Sequence, residues 1–344
     1  MIDDSSNKAT PRCSNLYVLG GRQRRLLLKK EEEWNLYEAA IILEIDLESG
    51  SVKTLVEYKT PLEASAGENS SSVFKSGTLI GDRLYACTST ELLVFQLPQF
   101  QVVKYISIPC FNDVHHVAPG SDGSLLVANT GLDMVVKLTA EGDVLRYWNV
   151  LGEDPWSLFS SERDYRKVDS TKPHRSHPNF VFELEGEIWV TRFRQRDAIC
   201  LSDPHKRIEI AIESPHDGLV TEDRIYFTTV DGRVVIVDRN SLRIEMVVDL
   251  KEIDGQDCIL GWCRGILPLD DRCCWIGFTR VRKTQLHENV LWVKKLLHDG
   301  VTERPTHITL YDLVDRKSLR EINLETHGMN VVFSMFPANC SPGN

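Results

Sequence analysis

Short runs rich in Val, Ile, Leu, Tyr and Phe recur about every 8 to 12 residues, separated by Gly-Asp, Asp-Gly, Glu-Gly and Asn-Ser pairs. Runs of this kind predict β-strands, and such pairs predict the turns between them. A longer period overlies the short one. Six segments correspond, opening Lys75-Ser76-Gly77, His116-Val117-Ala118, Asn179-Phe180-Val181, His216-Asp217-Gly218, Cys263-Arg264-Gly265 and His327-Gly328-Met329. All but the last lead into a second apolar strand, such as Leu125-Leu126-Val127-Ala128-Asn129 or Ile225-Tyr226-Phe227-Thr228. The starts at 75, 116, 179, 216, 263 and 327 lie 41, 63, 37, 47 and 64 residues apart. Setting aside 151–177 and 281–305 as insertions brings the long intervals to 36 and 39, the span of a four-stranded propeller blade.

The last copy stops after one strand, whereas three strands, at 16–19, 39–47 and 52–58, precede the first copy. One and three make a blade. The pattern therefore predicts an all-β, six-bladed β-propeller over 1–344, with short disordered termini and a C-terminal strand that closes the ring onto three N-terminal strands. Closure of this kind leaves no free edge between blades.

The segment Leu125-Leu126-Val127-Ala128-Asn129-Thr130-Gly131-Leu132-Asp133-Met134-Val135-Val136-Lys137-Leu138, followed by Glu141-Gly142-Asp143, resembles an NHL repeat. The resemblance implies the broad six-bladed class that includes NHL-repeat, gluconolactonase-like, strictosidine-synthase-like and streptogramin-lyase-like proteins. That class spans enzymes and binding scaffolds, so function has to be argued from the site.

Composition narrows the partners. The 344 residues are 42% hydrophobic and 26% charged, an ordinary globular balance, and 40 Lys+Arg against 50 Asp+Glu give a formal charge of -10. A general nucleic-acid or anionic-membrane binder is disfavoured, although a local basic pocket is compatible with that charge. No apolar stretch is long enough to span a bilayer, and the N-terminus does not read as a signal peptide. Nine cysteines without a C-x-x-C pair read as reduced thiols, which together predict a cytoplasmic protein.

In a propeller, loops between second and third strands share a face with the connections between blades. The insertions at 21–38, 151–177 and 281–305 all fall on that face, where long loops build a lid or a binding surface. Helical spacing at 22–37 and 286–297 predicts short amphipathic caps, and Trp156, Phe159 and Trp292 suit either a pocket or a partner surface.

The six inner-strand starts are the candidate site: Lys75, His116, Asn179, His216, Arg264 beside Cys263, and His327. The imidazoles of His116, His216 and His327 suit either a divalent metal or metal-free acid-base work. His115 is expected on the opposite face from His116, because neighbouring strand residues alternate. Lys75 and Arg264 would neutralise charge, Asn179 would orient substrate or metal, and His177 is the reserve candidate if the blade starts two residues earlier. A second layer of Asn129, Arg192, Arg194, Asp231, Arg280 and Arg282 suggests carboxylate or phosphate recognition. Cys263 beside Arg264 also reads as either a reactive thiolate or a buried structural thiol.

No G-x-S-x-G elbow, Walker A loop, Rossmann fingerprint or EF-hand is present. The leading expectation is an enzyme of lyase, hydrolase, isomerase or cyclase type acting on a small anionic molecule at the channel mouth. The alternative is a non-catalytic propeller that binds a protein partner through the same face.

Overall fold

A computed structural model describes residues 14–24, 36–255, 258–281 and 302–338. Its first blade combines β1 (Asn15–Gln23), β2 (Tyr37–Asp46) and β3 (Val52–Tyr58) with the last strand of the chain. Blade 2 holds β4 (Thr78–Ile80), β5 (Arg83–Cys87), β6 (Leu92–Gln96) and β7 (Gln101–Ile106). Blade 3 holds β8 (Val114–Pro119), β9 (Leu125–Asn129), β10 (Met134–Leu138) and β11 (Val144–Asn149). Blade 4 holds β12 (Pro178–Leu184), β13 (Glu187–Arg192), β14 (Asp197–Cys200) and β15 (Arg207–Glu209). Blade 5 holds β16 (Pro215–Val220), β17 (Arg224–Thr229), β18 (Arg233–Asp238) and β19 (Ile244–Asp249).

After a short parallel pair of β20 (Cys258–Ile259) with β23 (Thr302–Glu303), blade 6 is formed by β21 (Trp262–Pro268), β22 (Cys273–Thr279), β24 (His307–Asp312) and β25 (Lys317–Asn323). The chain ends in β26 (Val331–Ala338), which pairs antiparallel with β1 from Asn15↔Ala338 to Gly21↔Val331. The six antiparallel sheets and the predicted closure are therefore present. Apolar side chains fill the seams between blades. Leu16, Val18, Ile41 and Leu43 pack with Trp275, Val332 and Met335 between blades 1 and 6. Each fully buried Leu or Val of such a seam stabilises the fold by about 1.5–3 kcal/mol.

One irregularity recurs where the inner strands begin. In β8 the pairing jumps from Val114↔Asn129 to His116↔Ala128, leaving His115 over. In β16 it jumps from Pro215↔Thr229 to Asp217↔Thr228, leaving His216 over. In β21 the residue left over is Gly265, and in β26 it is Phe333. A β-bulge of this kind bends its strand and re-aims the side chain at the extra position.

The predicted insertions are only partly described. The helical spacing at 286–297, with Arg282 and Trp292, lies outside the described residues, as do 25–35 and the termini 1–13 and 339–344. Arg22 and Gln23 belong to β1 and Tyr37 opens β2, so strand extends into both ends of the segment expected to be helical. The 151–177 segment is a loop with one 3-10 turn, Tyr165–Lys167, opened by Asp164, whose carboxylate accepts the Arg166 N–H at 3.1 Å. No described helix is long and apolar enough to cross a membrane.

Candidate functional site

A cavity of about 950 Å³ occupies one mouth of the ring. Its walls are the 151–177 loop and the connection between β3 and β4, represented by Thr60, Ser65 and Ser70. Its floor takes one side chain from each blade or its leading segment: Lys75, His115, His177, His216, Arg264 and Phe333. Convergence on the axis was expected, but three of these six differ from the predicted positions. The bulges explain two of the differences.

His115, not His116, faces the cavity. Register makes His115 equivalent to His216, and His116 equivalent to Asp217. The His116 ring instead fills the seam towards blade 4. It lies 4.9 Å from the Phe180 ring, with Nε2 3.2 Å from the Gly77 carbonyl and Nδ1 accepting from the Val181 N–H at 3.4 Å. His327 is exposed in the turn Glu325–His327, because β26 starts four residues later, at Val331; its bulge presents Phe333. Asn179 is buried behind the floor, donating to the Pro215 carbonyl and accepting from Thr191 Oγ1 at 2.7 Å. His177, the reserve candidate, takes the place expected for Asn179.

The second layer divides similarly. Arg194 lines the cavity, is exposed, and makes no side-chain ion pair among the described residues. Arg192 is held by Asp197, with its Nε 2.8 Å from the carboxylate, and Arg280 by Glu325 at 2.7 Å. Neither lines the cavity. Asn129 is fully buried, accepting from the Asn112 N–H and donating to the Cys110 carbonyl, and Asp231 pairs with Arg233. Trp156 and Phe159 turn inward, against Tyr147 and Tyr165, and anchor their loop to blade 3. Burial pushes the Cys263 thiol well above its ordinary range, which removes the reactive-thiolate reading.

Sequence reasoning missed Asp113 and His174. Asp113 lies ahead of β8 in a left-handed conformation (φ 49°), forms an ion pair with Lys75, and has Oδ1 3.4 Å from His115 Nε2. His174 sits in the 151–177 loop, with its Nδ1 2.9 Å from Nδ1 of His177 and its Nε2 3.3 Å from Thr171 Oγ1. Asp133 shapes this loop: its carboxylate accepts the N–H groups of Arg175, Ser176 and His177 at 2.7, 3.0 and 2.7 Å. His177 is thereby held at φ 62°, a backbone conformation that non-glycine residues rarely adopt. The sequence signal for Asp113 and His115 is the alignment of Val114-His115-His116 with Pro215-His216-Asp217, which requires the bulge to be recognised.

The imidazoles crowd together. The His115 ring centroid lies 4.8 Å from that of His177 and 5.6 Å from that of His216, and one nitrogen from each of the three lies within 4.8 Å of the others. Burial pulls the His115 imidazole down to about 4, with Lys75 adding to the shift and Asp113 opposing it. Burial also holds His177 and His216 well below their ordinary value, reinforced by His115 and His174 around His177 and by Arg264 beside His216. Burial would raise Asp113, but Lys75 and His115 outweigh it and hold the carboxyl well below the usual range. The floor at neutral pH is therefore three neutral imidazoles beside one carboxylate–ammonium pair, with Arg264 4.3 Å above the Phe333 ring.

No family model matches the chain. No curated protein matches it in sequence. Solved structures of similar fold include a protein of unknown function from Bacteroides caccae, with TM-score 0.59 and 13% identity over 94% of this chain and 98% of that one. The nidogen/laminin complex contributes a second, with TM-score 0.54 and 9% identity over 93% and 97% of the two chains. Virginiamycin B lyase from Staphylococcus aureus aligns over 69% of each chain, with TM-score 0.42 and 14% identity. The chain is a six-bladed β-propeller; at these identities the likenesses extend to the fold and no further.

Proposed function

We propose that the protein is an enzyme acting on a small anionic molecule bound in the channel-mouth cavity, with the imidazole cluster as its reactive centre. The observation that carries this reading is the floor itself, where His115, His177 and His216 meet beside the Lys75–Asp113 pair. A cavity of about 950 Å³ is of small-molecule size, and convergent polar groups at the base of a concave site favour chemistry over a flat scaffold surface. The anion preference rests on charge. Lys75, Arg166, Lys172, Arg194, Arg196 and Arg264 line the cavity against Asp113, Asp169 and Glu213, in a chain of formal charge -10. Arg194, exposed and without an ion pair among the described residues, is the group best placed to meet a carboxylate or phosphate at the rim.

Lyase, hydrolase, isomerase or cyclase chemistry fits such a floor, since each needs proton movement and stabilisation of developing negative charge. Cys87, Cys110, Cys200, Cys263, Cys273 and Cys274 are free thiols, in keeping with a reducing compartment such as the cytoplasm. The test is a thermal-shift screen of small carboxylates and phosphate esters, followed by NMR of each hit for turnover. Compounds that stabilise the wild type, lose that effect in Arg194→Ala, and are consumed only when His216 is present would support the enzyme. A screen without a single stabilising anion would favour the protein-binding scaffold.

A further inference from the structure

We propose that His115, His177 and His216 together hold a first-row divalent transition-metal ion, of which Zn²⁺ is the type, leaving a position open to the substrate. This rests on reading the cavity as the working site. Three imidazoles with an open fourth position are a recognised arrangement for catalytic zinc.

The ring hydrogens decide which nitrogens can bind a metal. A neutral imidazole has one N–H and one lone pair, and its partners decide which nitrogen carries which. Asp113, an acceptor, faces Nε2 of His115, so Nε2 carries the proton and Nδ1 the lone pair. Nδ1 of His115 is buried and has no hydrogen-bond partner among the described residues. Nδ1 of His216 is in the same position. Two unpartnered nitrogens so placed in one cluster are costly unless something in the cavity, a metal ion or a water, meets them.

A relay in the 151–177 loop settles His177. The Thr171 hydroxyl donates to the Gly131 carbonyl at 2.5 Å, so it accepts from Nε2 of His174. Nδ1 of His174 then accepts from Nδ1–H of His177, which leaves Nε2 of His177 with its lone pair and no hydrogen bond among the described residues. Asp113 on His115 and His174 on His177 thus stand where outer-shell partners orient ligating imidazoles and set their tautomers.

Distances allow closure. Tetrahedral bonds of about 2.1 Å place two ligand nitrogens about 3.4 Å apart. One nitrogen from each of the three rings lies within 4.8 Å of the others, so closing onto one ion takes little more than an ångström of ring movement. A second grouping of Asp113, His174 and His177 is geometrically similar, but both His174 nitrogens are engaged and Asp113 is neutralised by Lys75. The first grouping is therefore the site.

The experiment uses the full chain, stripped with chelator and titrated with Co²⁺ alone. The proposal expects one equivalent bound, the visible d–d bands of a tetrahedral nitrogen-rich ion, and paramagnetically shifted imidazole N–H signals in the NMR of the wild type. His216→Asn and His177→Ala should each weaken binding by at least the roughly 10- to 100-fold attributed to loss of an outer-shell partner. His327→Ala, at an exposed residue that does not line the cavity, should leave it unchanged. Absence of stoichiometric binding to the wild type, or binding that His216→Asn and His177→Ala leave intact, would overturn the metal site. The anion screen on stripped protein keeps the two readings apart. Anion shifts without metal binding sink only the metal centre, and metal binding with no anion shift or turnover sinks only the proposed substrate class.

Discussion

The Nδ1 atoms of His174 and His177 lie 2.9 Å apart, a contact that is stable only when one nitrogen carries a hydrogen and the other does not. With His174 Nε2 committed to Thr171, the hydrogen belongs to His177. His174 is therefore a positioning residue for the proposed metal ligand. Replacing it by Phe keeps a flat ring in the buried site but removes the acceptor. His174→Phe is expected to fold with a thermal midpoint near that of the wild type and to bind Co²⁺ about 10- to 100-fold more weakly, as losing an outer-shell partner does elsewhere. Unchanged affinity would mean that the Asp133 backbone bonds alone hold His177.

Lys75 is almost fully buried and its partner Asp113 is 27% exposed, so the pair sits between the surface and interior limits of ion-pair energetics. Removing one partner of a buried pair leaves an uncompensated charge and costs about 3–5 kcal/mol, with this half-sheltered pair expected at the low end. Lys75→Met should destabilise the protein by about 3 kcal/mol in urea unfolding, and adding Asp113→Asn should restore part of it. A double-mutant cycle that gives no coupling between the two positions would show that solvent already screens the carboxylate.

Blade architecture was legible because it is written locally. Strand runs and turn pairs repeat at each blade, and the surplus strands at the two ends, Val331–Ala338 and the three before 59, add up to one blade. The site was less legible, because a bulge is one residue that alternation does not reveal. One extra residue exchanges the faces of His115 and His116, so a period-two reading chose the wrong member of the pair. At the ring closure, the turn at His327 precedes the strand, and Phe333 occupies the bulge. Asp113 and His174 lie in irregular segments without periodicity, and only the folded loop brings them to the floor. His177 was reachable by shifting one blade start two residues, as the repeat itself allowed.

Ring closure can be tested at Gly20. This residue lies in β1 where the pairing with β26 shifts, and an added Cβ would sit 1.9 Å from the Val331 carbonyl oxygen. The clash is with backbone on both sides of the closing pair, so neither strand can yield by rotating a side chain. Gly20→Ala should cost about 1–3 kcal/mol or more in urea unfolding. Gly67→Ala is the matched control, because nothing lies within 4 Å of its added carbon and no left-handed backbone is involved. Equal stability of the two variants would mean that β26 does not carry the closure.

Acid sensitivity follows from imidazoles outside the cavity as well as in it. Burial brings His116 down to about 4, with the bonds to Gly77 and Val181 opposing the shift, and burial likewise lowers His307, whose ring stacks 5.0 Å from Phe278. An unfolded histidine titrates near 6.5. Between about 6.5 and about 4 the unfolded chain holds a proton at His116 that the folded chain refuses. Stability is thus fully present above about 6.5 and falls with pH through that window, by up to about 1.4 kcal/mol per pH unit for each such imidazole. Asp217 has the opposite sign: burial raises it to about 7 from 3.8, so the folded chain keeps a proton the unfolded chain has released, and this group favours folding as pH falls through that range. The imidazoles outnumber it. For chelator-stripped protein, urea midpoints should therefore drop from about pH 8 to about pH 5. Asp217→Asn should be more stable than the wild type at the upper pH, by a margin that narrows towards the lower, making the descent steeper. A flat profile in both proteins would show that these groups titrate in the fold as they do in the unfolded chain.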